Sequence, residues 1–345
     1  MLAAVFHGPR DIRLEDIPEP SPKADEVMVR VLQAGICGSD LNRFHYGSHP
    51  WPPGFIMGHE FCGEIAAVGS DVTAWQVGQR VVVEPTIYCG TCFYCQQGYY
   101  NRCVDFVARG ITGSGTNGGF AEYVCIPAYQ PHRQPPTLPP ALGALVEPTA
   151  VSVHGWQLAG VVQPDSAVVV GIGNIGLLAV LVAKAKGAKQ IIAIGKYAPR
   201  QALAQRYGAS IVLSPDDPKL QEHILERTDG LGAKLVLEAA GTPSSLRMAV
   251  DSARKGGKIV VLGVFHEEVS LDYRHILMTE KQIMGSIIYQ RQDFADAIAI
   301  LGTGVVDMMH HITSVVSLRD IVTSGFLPLS ESKGEHIKIQ VMPQV

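Results

Sequence analysis

Residues 166–185 read SAVVVGIGNIGLLAVLVAKA. A β-branched run gives way to Gly171, Gly173 and Gly176, spaced G-x-G-x-x-G, and then to a leucine- and alanine-rich run. This predicts a strand over Ala167–Val170, a tight turn, and a helix over Ile175–Lys186. Each glycine has its own physical role. The first permits the turn, the second lets backbone approach a pyrophosphate, and the third lets helix pack on strand. The N–H groups of Asn174 and Ile175 at the helix mouth then face the phosphates. Ala167 to Ala183 is uncharged over 17 residues, but three glycines and Asn174 interrupt it, so a membrane span is not expected.

Outward from this stretch, strand and helix signals alternate. Gln190–Ile194 reads as a strand, Pro199–Tyr207 as a helix, and Ile211–Leu213, Leu235–Leu237 and Ile259–Leu262 as further strands. Such alternation predicts an α/β domain with a parallel sheet over residues 151–287. Residues 1–150 differ in texture. Short apolar runs such as Val27–Leu32 and Val81–Val83 lie among glycines and prolines and predict an all-β body with long loops. The terminal HIKIQVM reads as a strand that rejoins this body, so residues 288–345 are assigned to it. A length of 345 residues suits two domains.

An NAD-selective turn is usually followed, about twenty residues on, by an acid for the ribose 2′-hydroxyl. Here the strand QIIAI ends in Gly195, with Lys196, Tyr197 and Arg200 beyond it. Space and positive charge at that point predict a preference for NADP(H), with NAD(H) as the other possibility. Ordinary solvated cations at a helix start are the plainer reading of Lys196 and Arg200.

Cys89, Cys92, Cys95 and Cys103 stand in YCGTCFYCQQGYYNRC. Four thiolates at this spacing complete a closed tetrahedral zinc shell, a structural staple in a lobe over about 86–105. Two disulfides or four unrelated buried thiols are the alternatives.

Three further motifs, GICGSD at 35–40, GHEFCGEI at 58–65 and GALVEPTAVSVHG at 143–155, fall in order around the cysteine lobe and the glycine turn. Together these resemble the zinc-dependent medium-chain dehydrogenases over essentially the whole chain, most closely the sorbitol/butanediol dehydrogenase branch. The resemblance implies a GroES-like β-rich catalytic domain joined to a Rossmann dinucleotide-binding domain, two zinc ions per chain, and hydride transfer between NAD(P)(H) and an alcohol/ketone pair. It makes Cys37 and His59 ligands of a catalytic zinc. Either Glu60 or Glu147 is the third protein ligand; exchange between the two, or binding of one through water, is left open by the resemblance. Ser39 would hydrogen-bond the substrate oxygen and begin a proton relay, and Asp40 would buttress His59. Many relatives carry a relay histidine where this chain has Asn42; His45 and His49 lie off that register. Sorbitol-type enzymes carry an arginine before a late tyrosine, whereas here Ile288 precedes Tyr289. A secondary alcohol, vicinal diol or short polyol is therefore the expected substrate.

Composition limits the alternatives. The chain is 47% hydrophobic and 17% charged, with a formal charge of −4, a pI near 6.3 and no run of basic residues, so nucleic acid is not an expected partner. The N-terminal MLAAVFHGPRDIRLED breaks at His7, Pro9, Arg10 and Asp11 before an apolar signal core forms, and seven cysteines, an odd number, suit a reducing compartment. A cytoplasmic enzyme is expected. The resemblance further implies a homodimer or homotetramer joined edge to edge through its Rossmann sheets, with Ile259–Val264 and the apolar stretch beyond it as the candidate edge. A zinc-free quinone or enoyl reductase, a zinc-ribbon module and a non-catalytic relative are the rival readings.

Overall fold

In the computed structural model, which describes residues 1–47, 50–304, 306–332 and 334–344, the opening stretch forms the strand Ser166–Val170 and the helix Asn174–Ala185. All five strand residues are buried, because parallel neighbours flank the strand and helices cover its faces. Each valine so buried contributes about 1.5–3 kcal/mol relative to exposure. Gly171 turns the chain at φ 91°, and a side chain at Gly176 would collide with the Gly171 carbonyl. The apolar run is thus the centre of a sheet and its crossover helix. Among the described residues no helix is long and apolar enough to cross a membrane.

The chain divides into two compact units, Met1–Glu147 with Gln290–Val345, and Pro148–Tyr289. Six parallel strands form the sheet of the second unit in the order Ile211–Leu213, Gln190–Ile194, Ser166–Val170, Ala233–Glu238, Ala253–Val261, Gln282–Gly285. The strand order reverses at Ser166–Val170, which makes its carboxyl end the switch point where such sheets bind ligands. Of the edge expected at Ile259–Val264 and the stretch beyond it, the first part is inner, because Lys258–Val261 pairs in parallel with Gln282–Gly285, the outermost strand, which lies in the stretch beyond.

In the first unit a seven-stranded sheet is built around Glu26–Gly35, which pairs with Glu60–Val68, Tyr123–Pro127 and the C-terminal strand Lys338–Met342. The terminal strand expected at HIKIQVM pairs with this sheet through Gln340 and Val341. This body is not all-β, however. The helix Gly38–Tyr46 follows directly on the central strand, since Cys37 and Asp40 form a reciprocal capping box. Short polar side chains at Cys37, Ser39 and Asp40 mask that helix in the sequence. Ala3, Phe6, Val29, Phe61, Phe120 and Val341 are among the fully buried residues that fill the core beneath.

Candidate functional site

Strand pairing assembles the first candidate site. Gly35 ends one strand and lies opposite Glu60, which begins the next, so Cys37, two residues past Gly35, meets His59 and Glu60. Only glycine fits at 35, because the Glu60 carboxylate occupies the place a side chain would take. Donor atoms of Cys37, His59 and Glu60 all lie within 4.8 Å of one another. Glu147 is not part of that group; it is buried in the first turn of the helix Val146–Ala159.

Asp40 Oδ2 accepts the Cys37 N–H at 2.9 Å, and its Oδ1 lies 3.5 Å from His59 Nδ1. Nε2 is therefore the nitrogen left to serve a metal, with Ser39 Oγ 3.5 Å away on the exposed first turn of the helix. Burial opposes the charge on Asp40, but His59, Arg43 and the Cys37 N–H outweigh it and hold the carboxyl below its ordinary value. Burial likewise opposes a protonated His59, yet Asp40 and Cys37 raise the imidazole well above its usual range. These surroundings attract positive charge. Glu60 Oε1 is buried with no hydrogen-bond partner, while Oε2 pairs with Lys338 Nζ at 2.6 Å. A sulfur, a nitrogen and an unsatisfied carboxylate oxygen in one pocket fit zinc, which is borderline soft and accepts all three.

The four cysteines come together as the spacing predicts, with all sulfurs within 4.8 Å and every cysteine of the chain free. The N–H groups of Cys92 and Thr91 pull the Cys89 thiol down to about 6. Burial, with the neighbouring sulfurs adding to it, pushes Cys95 up to about 12. Four thiols this close cannot all ionise without a cation, and a dication resolves the conflict. The lobe is anchored by Glu84, just after the strand Arg80–Val83, which accepts from the Tyr100 hydroxyl at 2.5 Å and pairs with His132 at 2.7 Å.

In the second unit a cavity of about 520 Å³ opens at the switch point, lined by Gly171, Gly173, Gly195, Lys196 and Arg200 among others. Asn174, Ile175 and Gly176 do not line it; they form the first turn of the helix beside it. Lys196 is tied to Asp216 at 3.0 Å on the surface, whereas Arg200 is half-buried, its guanidinium lying 5.2 Å from the centre of the Tyr197 ring. Sequence reasoning missed three residues that matter here: Lys338, Arg43 and Glu238. A lysine inside the apolar strand HIKIQVM was the available signal for the first, since a charge in a buried strand requires a partner.

Residues 23–136 match the alcohol dehydrogenase GroES-like domain, and residues 174–303 match the zinc-binding dehydrogenase domain. The chain is 35% identical to sorbitol dehydrogenase of Bacillus subtilis, over 99% of this chain and 97% of that protein. It belongs to the zinc-type medium-chain alcohol dehydrogenase family. The crystal structure of 2R,3R-butanediol dehydrogenase from Bacillus subtilis superposes with a TM-score of 0.90 at 33% identity, covering 99% of both chains. A zinc-binding dehydrogenase from Sinorhizobium meliloti, solved with NADP bound, gives 0.91 at 32%, again over 99% of both. The protein is thus an NAD(P)-dependent alcohol or polyol dehydrogenase of the sorbitol/butanediol branch, with the two-domain fold that its motifs imply.

Proposed function

We propose that this dehydrogenase interconverts a secondary alcohol, vicinal diol or short polyol and its ketone, and prefers NADP(H) to NAD(H). The observation that carries the cofactor preference is at Gly195. The open space expected there is absent, since Ile172 lies where a side chain at 195 would start; what supports the preference is that no acid stands at this position and that Arg200 lines the same cavity. Arginine suits a 2′-phosphate because its planar fork pairs phosphate oxygens. The relative with bound NADP supports the same reading.

Cys37, His59 and Glu60 would hold the catalytic zinc, while Glu147, outside that group, adds to the field on Lys338. Cys89, Cys92, Cys95 and Cys103 would hold the second. When bound, the catalytic zinc supplies Lewis acidity toward the substrate oxygen, and the nicotinamide carries the hydride. The protein's own groups do the rest. Asp40 fixes the orientation and tautomer of His59. Lys338 keeps one oxygen of Glu60 in place and leaves the other available. Ser39, exposed beside His59 Nε2, takes the substrate hydroxyl proton. Asn42 is exposed, and His45 is held by the Ser330 hydroxyl at 2.9 Å, which supports a relay passing from Ser39 to solvent water. His49 lies outside the described residues.

Ile288, in place of the arginine of sorbitol-type enzymes, supports a diol over a hexitol. The strand Gln282–Gly285 has an unpaired outer edge among the described residues, with Leu277 and Met278 exposed on the preceding helix, which supports a homodimer or homotetramer joined there. Seven cysteines, an odd number with four in a zinc pattern, support a reducing, cytoplasmic setting. A panel of alcohols and ketones assayed with both cofactors tests the proposal. At least a tenfold higher kcat/KM with NADP is expected for a small diol; a tenfold preference for NAD, or activity confined to hexitols, would refute it.

A further inference from the structure

Glu238 ends the strand Ala233–Glu238 at the carboxyl edge of the parallel sheet and is completely buried. Its Oε1 accepts from the Ala240 N–H at 2.8 Å, the Gly241 N–H at 2.8 Å and the Ser245 hydroxyl at 2.7 Å. The other oxygen, Oε2, is buried with no hydrogen-bond partner. A buried carboxylate left half satisfied is unfavourable, so the site must gain something that a smaller polar residue would not provide. Capping of the next helix is not that gain. Thr242 already caps Pro243–Ser252 through Ser245.

What the carboxylate does control is the turn 239–241. Ala239 and Ala240 line the dinucleotide cavity. On one side Ala240 presses so closely on Gly171 that a side chain at 171 would not fit. On the other, a side chain at Gly263 would collide with the Gly241 N–H and with Glu238 Oε2. The turn is therefore wedged between the glycines that follow two other strands, and Glu238 gathers its amides at one point. The backbone of this wall cannot move without breaking those bonds.

We propose that Glu238 is a positioning residue for the dinucleotide: its carboxylate fixes the Ala239–Gly241 turn as the cavity wall that opposes the Gly171 turn. This rests on reading the cavity as the cofactor site. NADPH and NADH titrations of the zinc-loaded protein, followed by fluorescence, provide the test alongside kinetics and melting. Glu238→Gln keeps the shape but presents a neutral acceptor, and should raise the NADPH Kd and KM about tenfold, with kcat at saturating cofactor within about twofold. Ser245→Ala removes the hydroxyl donor to Glu238 together with its acceptor role in the Thr242 cap, and should raise Kd about threefold; Thr242→Ala, which perturbs the cap but leaves Glu238 its donors, should raise it less. A lower melting temperature with unchanged Kd and KM would reduce Glu238 to a structural residue and overturn the proposal. Should Glu238→Gln fail to fold, Ser245→Ala and Gly263→Ala decide, and unchanged Kd in both overturns it equally. Absence of NADPH and NADH binding by the wild-type protein would sink the cavity's assignment itself, and the proposal with it.

Discussion

The two clusters of metal-ligating side chains lie in the same unit and are built in opposite ways. The cysteine lobe is local: Cys89 and Cys103 are only 14 positions apart, and backbone N–H groups stabilise sulfur charge directly. The other cluster is assembled by strand pairing, is mostly buried, and depends on Lys338, which lies 278 positions from Glu60. A closed shell of four anionic ligands brings its own geometry and needs little from the fold. An open site with mixed donors must have each donor held by something else, and here Asp40 holds His59 while Lys338 holds Glu60.

The largest expected effect separates the two clusters by function. Cys37→Ser should lower kcat/KM by roughly 10³-fold or more, because Lewis acidity is worth several kcal/mol to the reaction, while the lobe keeps its zinc. Cys95→Ser should instead unload the lobe and lower the melting temperature before it affects hydride transfer in the molecules still folded. Zinc content, melting and active-site-normalised turnover of both variants make the comparison. An unchanged melting temperature in Cys95→Ser, with two zinc ions retained, would erase the distinction.

Next in size is the buried pair Lys338–Glu60, whose side chains are 2% and 0% exposed. Burial opposes the ammonium, but Glu60, Cys37 and Glu147 raise it, so Lys338 stays charged. Removing one member of such a pair strands the other, at about 3–5 kcal/mol. Lys338→Met should destabilise the metal-stripped protein by that amount in chemical denaturation, and less when zinc is present to neutralise Glu60. Equal losses with and without zinc would mean that Glu60 does not face the metal.

This contrast also explains what the sequence could reveal. Cys89 to Cys103 and Gly171 to Gly176 are legible because their chemistry is set by spacing along one short segment. The strand Gln190–Ile194 falls where its β-branched residues place it, since burial on both faces demands a continuous apolar run, and the partly buried Ile211–Leu213 falls beside it at the sheet's end. The helix Gly38–Tyr46 was not legible, because its start is a cap made by metal-site residues and only Asp40 and Phe44 are buried along it. Glu60 could not be separated from Glu147 by sequence, as the choice depends on which acid the Gly35 pairing brings to Cys37. Within the stretch beyond Val264 the outermost strand is not delimited by the sequence, because Gln282–Gly285 is mostly exposed and carries little apolar signal.

A smaller effect should come from Asp40→Asn, which retains the capping oxygen toward the Cys37 N–H but removes the charge facing His59. Loss of such a partner costs about 10–100-fold in metal affinity. Competition with a chelator should show that loss at one zinc only, with the cysteine lobe unmoved. Loss at both sites, or at neither, would break the claim that each ligand of the open site is held from outside.

Acid should separate the two regions by the smallest margin. His311 is completely buried, and burial, with the Lys338 charge adding to it, pushes its pKa down to about 3. As pH falls below about 6.5 the unfolded chain takes up this proton and the folded chain does not, so stability is lost progressively until pH approaches 3. Between pH 7 and 5.5 the loss from this one group is about 1.3 kcal/mol. At fixed zinc loading, His311→Gln should flatten the denaturation profile over that window by the same amount relative to wild type. A slope identical in both proteins would mean that His311 is protonated in the fold, which the neighbouring ammonium of Lys338 and the absence of exposure both oppose.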